Sequence, residues 1–120
     1  MEYETLTKFM RSIVTKQKRD RYAGYIVSEK GRKKFLASLD HDLEKDIEPK
    51  VIVQSLSDIQ WNSPAVLFSS AGAINAEFSS LRYAYDEAPW EGGWLAISAS
   101  GTYGVYRPEG KTDNEVFIKL

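Results

Sequence analysis

Four basic side chains lie close together near the start of one predicted helix. They are Lys30, Arg32, Lys33 and Lys34. The stretch that contains them, "SEKGRKKFLASLDHDLEKD" (residues 28–46), places basic residues first and acidic residues last, which is the unfavourable order for a helix dipole. With Ser28 as N-cap, free backbone N–H groups lie beside these cations, and together they favour an anion such as phosphate. These residues are therefore the leading candidates for an anion-binding site.

A second basic cluster precedes the first along the chain. It consists of Lys16, Lys18, Arg19 and Arg21. The two clusters together are suited to follow a nucleic-acid backbone, with Tyr22 and Tyr25 as faces on which bases stack. The alternative is a solvated surface that faces the acidic second half of the chain. A further alternative makes Gly31 the C′ residue of the preceding helix, which places Lys30 favourably at a helix end.

The charge distribution supports both interpretations of the basic clusters. Residues 8–34 carry ten basic and two acidic side chains, whereas residues 51–120 carry four basic and eight acidic ones. Such asymmetry indicates either an anionic partner for the basic half or attraction between the two halves within one fold.

The single histidine, His41, lies between two aspartates. Neighbouring side chains on a helix point about 100° apart, so Asp40, His41 and Glu44 form the trio best placed to hold a divalent metal. His41 is also the candidate general base of a small enzyme. A solvated histidine on a polar helical face is the competing interpretation, and under it His41 is exposed and dispensable.

Several classes of chemistry are excluded or lack their motif. Without cysteine there are no disulfides, thiolate zinc sites, iron–sulfur clusters or cysteine nucleophiles. The Walker phosphate loop, the dinucleotide fingerprint and the serine nucleophile elbow are all missing from the sequence. We therefore expect no cofactor, and we favour a non-catalytic protein over an enzyme.

One aromatic residue is a candidate for contact with a protein partner. Trp90 precedes the segment "EGGW", whose glycines indicate a loop with this tryptophan near its tip. Tryptophans in loops anchor partners, although they also fold back over a core because exposed indole area is unfavourable. Trp94, at the start of a strand, is expected in the core.

The chain length of 120 residues predicts one domain. The N-terminal segment "MEYETLTKF" is acidic and polar, unlike a secretory signal, and no window reaches the 18 or so consecutive apolar residues of a membrane span. These features indicate a cytoplasmic protein without membrane contact.

Helical spacing of apolar residues dominates the first part of the chain, up to Pro49. It predicts an amphipathic helix that Thr5 caps and that ends near Val14, followed by helical stretches over about 16–27 and 28–43. Strand patterns dominate after Pro49, in "KVIVQSL", "AVLFSS", "WLAISAS", "TYGVYRP" and "EVFIKL". The segment "SDIQWNSP" is typical of a turn, and residues 75–85 fit a short helix, with a strand as the alternative.

The elements together predict an α+β fold in a single domain over residues 1–120. Helices over about 5–48 pack on an antiparallel sheet of about five strands over about 50–120, which ends in a three-stranded meander. The leading functional hypothesis is a non-catalytic binding or regulatory module whose basic helices contact a nucleic acid or an acidic protein. The alternatives are a small enzyme that uses His41, and an interaction module that uses the Trp90 loop, with a homodimer through the last strand as one form.

Overall fold

The computed structural model describes residues 3–71, 76–110 and 114–120. Its helices are α1 (Tyr3–Ile13), α2 (Arg19–Val27), α3 (Glu29–Ser38), α4 (Asp42–Asp46), α5 (Asp58–Trp61) and α6 (Leu81–Glu87), with short 3-10 helices at Lys16–Lys18 and Pro49–Val51. Its strands are β1 (Ile52–Val53), β2 (Ala65–Ser69), β3 (Ala76–Phe78), β4 (Trp94–Ser98), β5 (Tyr103–Arg107) and β6 (Val116–Lys119). None of the helices in this part of the chain is long and apolar enough to cross a membrane.

The strands form one antiparallel sheet in the order β1-β6-β5-β4-β2-β3. The prediction of helices packed with an antiparallel sheet in an α+β fold is confirmed, and the described residues form six strands where about five were predicted. The last strand, β6, pairs with β5 on one side and with β1 on the other. It is therefore not a free sheet edge through which a homodimer would form.

Helices cover both faces of this sheet, and the sequence had predicted only that N-terminal helices pack on it. Because side chains alternate along a strand, Leu95 and Ile97 of β4 face α1, α2 and α3, whereas Trp94 and Ala96 face α6 and the segment around α5. Every residue of β4 is consequently buried. The uninterrupted apolar run "WLAIS" is the pattern expected of a strand with both faces covered.

The helical part differs from the predicted boundaries in two places. The first helix begins at Tyr3, so Thr5 lies within it and does not cap it. The predicted helix over 28–43 is two helices, because α3 ends at Ser38 and α4 begins at Asp42. At the break, the backbone N–H of Asp40 donates to the carbonyl of Ala37 at 3.2 Å, a tight turn that ends α3.

Two predicted non-helical or ambiguous segments contain a helix. The turn-like segment "SDIQWNSP" forms α5, because Ser57 and Gln60 make a capping box at its N-terminus. The ambiguous segment 75–85 contains both alternatives: strand β3 comes first, and Ser80 then caps α6 by accepting the backbone N–H of Tyr83 at 3.1 Å. Asn75, the expected first residue of a helix, lies outside the described residues.

Candidate functional site

Helix α3 carries three exposed lysines on one side, which we name the lysine face: Lys30, Lys33 and Lys34. Their spacing of i, i+3 and i+4 places them on the same side of the helix. Phe35 is buried on the other side, against the core. No lysine of this face belongs to an ion pair among the described residues, where the pairs are Lys8–Glu4, His41–Asp42 and Arg82–Asp58. The acidic half of the chain therefore does not neutralise this face by direct contact in the described part.

Arg32, the fourth basic residue of the cluster, points away from the lysine face. Its Nε donates to the carbonyl oxygen of Ile26 at 2.9 Å, and its guanidinium lies 3.7 Å from the centroid of the Tyr3 ring. Ile26 is in the last turn of α2, where the helix dipole is negative and a cation is stabilising. Arg32 thus has internal partners, and its contribution is to the packing of α3 against α2 and α1.

The N-terminus of α3 shows whether Ser28 is an N-cap and whether Gly31 ends the preceding helix. Ser28 is the N-cap, since its Oγ accepts the backbone N–H of Gly31 at 2.9 Å. Gly31 is the third residue of α3 and not the C′ residue of α2, so that alternative is wrong. A Cβ atom at Gly31 would lie 2.5 Å from the carbonyl oxygen of Tyr25, so glycine permits the close packing of α2 and α3. Glu29 in the first turn also offsets part of the unfavourable charge order.

The second basic cluster is spread over different environments. Arg19 donates from Nε to the carbonyl of Val14 at 3.4 Å, and Lys18 is half-buried. Arg21 donates from Nε to the hydroxyl of Tyr25 at 2.8 Å. It lines a pocket of about 240 Å³ between α2 and α3, to which Lys34 also contributes. Arg21 is therefore the member of the second cluster that extends the lysine face.

Tyr22 and Tyr25 are not free stacking surfaces. Tyr22, which was expected to contact a partner, is buried and donates its hydroxyl to Oδ2 of Asp46 at 2.9 Å. Burial raises the pKa of the Tyr22 hydroxyl, and the hydrogen bond to Asp46 raises it further. Tyr25 is half-buried, packs edge-on against Tyr22 and accepts the Arg21 hydrogen bond. Both rings serve the α2–α3 packing.

The trio of Asp40, His41 and Glu44 does not assemble. His41 lies between α3 and α4, its side chain is 72% exposed, and its Nε2 is 3.3 Å from Oδ1 of Asp42. Asp40 is turned toward the sheet, and Glu44 lies within α4. In the described ranges no group of three or more His, Asp or Glu residues is placed to hold a metal ion.

Replacing His41 by alanine is expected to change the free energy of unfolding by less than about 0.5 kcal/mol, because the side chain is in solvent and contacts one exposed carboxylate. Urea denaturation of the parent and of His41→Ala measures this change. Binding of a polyanion should also be the same for both. A folded His41→Ala protein that had lost a measurable activity would contradict the expectation and favour the enzyme hypothesis.

Asp40 forms a junction that sequence analysis did not identify. Its Oδ1 accepts the Ser70 hydroxyl at 2.5 Å and the backbone N–H of Gly93 at 2.7 Å. Its backbone carbonyl accepts the N–H of Glu109 at 3.0 Å. Asp40, which follows α3, thereby fixes the ends of β2 and β5 and the start of β4. Nothing local in the sequence signals this role, because the two side-chain partners are 30 and 53 residues away.

Trp90 lies at the rim of a pocket on the α6 side of the sheet. Its side chain is 84% exposed, whereas Trp94 is buried as expected. The pocket has a volume of about 370 Å³, and Arg107 forms part of its wall. From the sequence, Arg107 was predicted only to lie near the end of a strand. It donates to the carbonyls of Pro89 and Trp90 and so fixes the backbone of the Trp90 loop.

Comparison of the chain with protein-family models, curated proteins and solved structures gives no match. The fold and the two sites define an α+β protein with a six-stranded antiparallel sheet between helices.

Proposed function

We propose that this protein is a non-catalytic binding module that contacts an anionic partner through the lysine face of α3, with Arg21 at its side. The observation that supports this most directly is the set of three exposed lysines on one side of one helix without an ion pair among the described residues. Like charges at i, i+3 and i+4 repel each other by a few tenths of a kcal/mol per pair. An anionic partner relieves this repulsion, so the free surface is suited to binding.

An acidic protein is the favoured partner over a nucleic acid. Binding of single-stranded nucleic acid usually combines cations with aromatic faces on which bases stack. Tyr22 is buried, and Tyr25 is half-buried against Tyr22 with the Arg21 guanidinium over its ring, so neither ring offers a fully open face. A row of lysine ammonium groups matches carboxylates on a protein surface by charge alone. We further expect the protein to act in the cytoplasm.

The enzyme hypothesis has less support from the described geometry. His41 borders the pocket between α2 and α3, but its side chain is largely in solvent beside Asp42. Oδ1 of Asp40 already accepts two hydrogen bonds within the fold. Neither group is therefore poised to move a proton on a bound substrate.

The test compares two triple variants with the same change of net charge. The first replaces Lys30, Lys33 and Lys34 by glutamine, and the matched control replaces Lys45, Lys50 and Lys119, which are exposed elsewhere. Fluorescence anisotropy measures binding of labelled poly-glutamate and of a single-stranded oligonucleotide at increasing salt. We expect the lysine-face variant to bind poly-glutamate about tenfold more weakly than the parent, and the control to lose about twofold or less.

Salt dependence provides a second readout on the same samples. Binding through three or four cations should weaken with salt, with a slope of log K against log salt of about −3 for the oligonucleotide. Equal losses in the two triple variants, or no binding to either probe at low salt, would contradict the proposal. Tighter binding of the oligonucleotide than of poly-glutamate would transfer the assignment to a nucleic-acid partner.

A further inference from the structure

The pocket beside Trp90 lies on the opposite face of the sheet from the lysine face and is independent of the function proposed above. Helix α3 packs on the face to which Leu95 points, whereas Trp94 and Tyr85 belong to the cluster on the other face. The volume of about 370 Å³ is at the lower end of the range for small-molecule sites. A ligand of the size of a single amino acid fits such a volume.

Arg107 is the basic residue in the wall of this pocket. It is only 9% exposed, and no carboxylate among the described residues forms an ion pair with it. Both of its hydrogen bonds in the described part of the chain come from Nη2, to the carbonyls of Pro89 and Trp90. A guanidinium has five N–H donors, so the donors on Nε and Nη1 have no acceptor there. A largely buried cation that forms no ion pair with a described carboxylate favours a carboxylate ligand.

Trp94 lies beside Arg107 in the same wall. Its indole Nε1 is buried and has no hydrogen-bond partner among the described residues. Arg107 and Trp94 are paired across β5 and β4, with the guanidinium carbon 5.3 Å from the ring centroid. Buried donors without acceptors are rare in folded proteins. Because Nε1 is itself buried, the pocket exposes the Trp94 ring, and the donors that this wall offers to a ligand are those of Arg107.

Two carboxylates also line the pocket, which restricts the kind of ligand. Glu115 is held in place by the Tyr85 hydroxyl, which donates to its Oε1 at 3.0 Å, and Asp86 is exposed at the rim. A ligand with only a negative charge would be repelled by these two acids, and a ligand with only a positive charge would be repelled by Arg107. A zwitterion satisfies both signs of charge. The rings of Trp90 and Tyr85 provide apolar surface for the rest of the ligand.

We propose that this pocket binds a free α-amino acid with an aromatic or large aliphatic side chain. Arg107 receives the α-carboxylate through its unused donors, in the geometry that guanidinium groups favour. Asp86 and Glu115 receive the α-ammonium group, and the side chain of the ligand packs against Trp90. Because Trp90 and Trp94 both line the pocket, binding should change the tryptophan fluorescence.

The test is titration of the full chain with L-phenylalanine, followed by calorimetry and by tryptophan fluorescence. We expect a Kd of about 10 µM to 1 mM, as is usual for a ligand of this size. Phenylalaninamide lacks the carboxylate, and 3-phenylpropionate lacks the ammonium group. Each should bind at least about tenfold more weakly, because one charge of the pocket is left without its partner.

Variants separate the pocket from general effects on the fold. Trp90→Ala should weaken L-phenylalanine binding about tenfold, because the exposed ring is a wall of the site. The matched control is Ile59→Ala, an exposed apolar residue outside the pocket at 82% exposure, which should bind as the parent does. Asp86→Asn tests the ammonium contact without removing a buried group and should also weaken binding. The lysine-face variant should bind L-phenylalanine normally, so that failure of either proposal is seen independently.

Three results would overturn the assignment. One is the absence of binding up to about 10 mM ligand, which is beyond any specific affinity for this size of molecule. Another is binding of the amide or of 3-phenylpropionate as tight as that of L-phenylalanine. The third is a Trp90→Ala protein that binds L-phenylalanine as tightly as the parent does.

Discussion

Replacement of Gly93 by alanine is expected to lower the free energy of unfolding by about 3 kcal/mol or more, the largest effect of any single methyl group in the described chain. A Cβ atom at this position would overlap the backbone carbonyl of Leu39, and it would lie 2.9 Å from the backbone nitrogen of Asp40. Backbone atoms cannot move aside cheaply. The same shift would break the hydrogen bond from the Gly93 N–H to Oδ1 of Asp40.

The matched control for this variant is Gly24→Ala. Gly24 lies within α2, and a Cβ atom there would have nothing within 4 Å. Alanine should therefore stabilise the protein by about 0.5 to 1 kcal/mol, because glycine loses more conformational entropy in a helix. Urea denaturation of the two variants and the parent measures both changes. A Gly93→Ala protein as stable as the parent would show that the junction between the α3–α4 break and β4 is not tightly packed.

Replacement of Asp40 by alanine is expected to cost about 2 to 4 kcal/mol. Two donors, the Ser70 hydroxyl and the Gly93 N–H, would lose a charged acceptor inside the fold. Asp40→Asn retains one carbonyl oxygen and should cost less. A double-mutant cycle with Ser70→Ala isolates the coupling between the two side chains, which we expect to exceed about 0.5 kcal/mol.

Asp42→Ala is the natural control for Asp40→Ala, because it removes the same charge two residues along the chain. Asp42 is exposed and pairs with the solvent-exposed His41, so its loss should cost less than about 0.5 kcal/mol. Equal costs for the two variants would contradict the junction. Because Gly93 precedes Trp94 directly, the Asp40→Ala protein should also bind L-phenylalanine more weakly than the Asp42→Ala protein does.

Patterns set by short-range periodicity could be predicted from the sequence. In α1, Leu6, Phe9, Met10 and Ile13 follow the helical repeat, and all four are buried in the helical core. The segments "WLAISAS", "TYGVYRP" and "EVFIKL" contain β4, β5 and β6. Ser28 caps α3 because its hydroxyl needs only the free backbone N–H groups of the residues that follow it directly in the sequence. These features depend on neighbours within a few positions.

The break between α3 and α4 could not be predicted in the same way. The buried residues Phe35, Leu39 and Leu43 keep a helical spacing across it. The break is held from outside, since the Tyr106 hydroxyl donates to the carbonyl of Leu39 at 2.9 Å and the N–H of Glu109 donates to that of Asp40. Both donors come from β5 or the residues just after it, more than 60 residues later in the sequence.

The sequence by itself determined that Lys30, Lys33 and Lys34 share one side of a helix, because their spacing is a property of the helix alone. Helix spacing also turns Arg32 away from them, and only the tertiary structure decided that its partners are Ile26 and Tyr3. It also decided that Arg107 lies in a pocket beside Trp90, and that Asp40 faces Gly93 and not His41. The physical reason is the same in each case: these side chains are positioned by partners that are distant in the sequence, and their contacts exist only once the helices and the sheet have packed together.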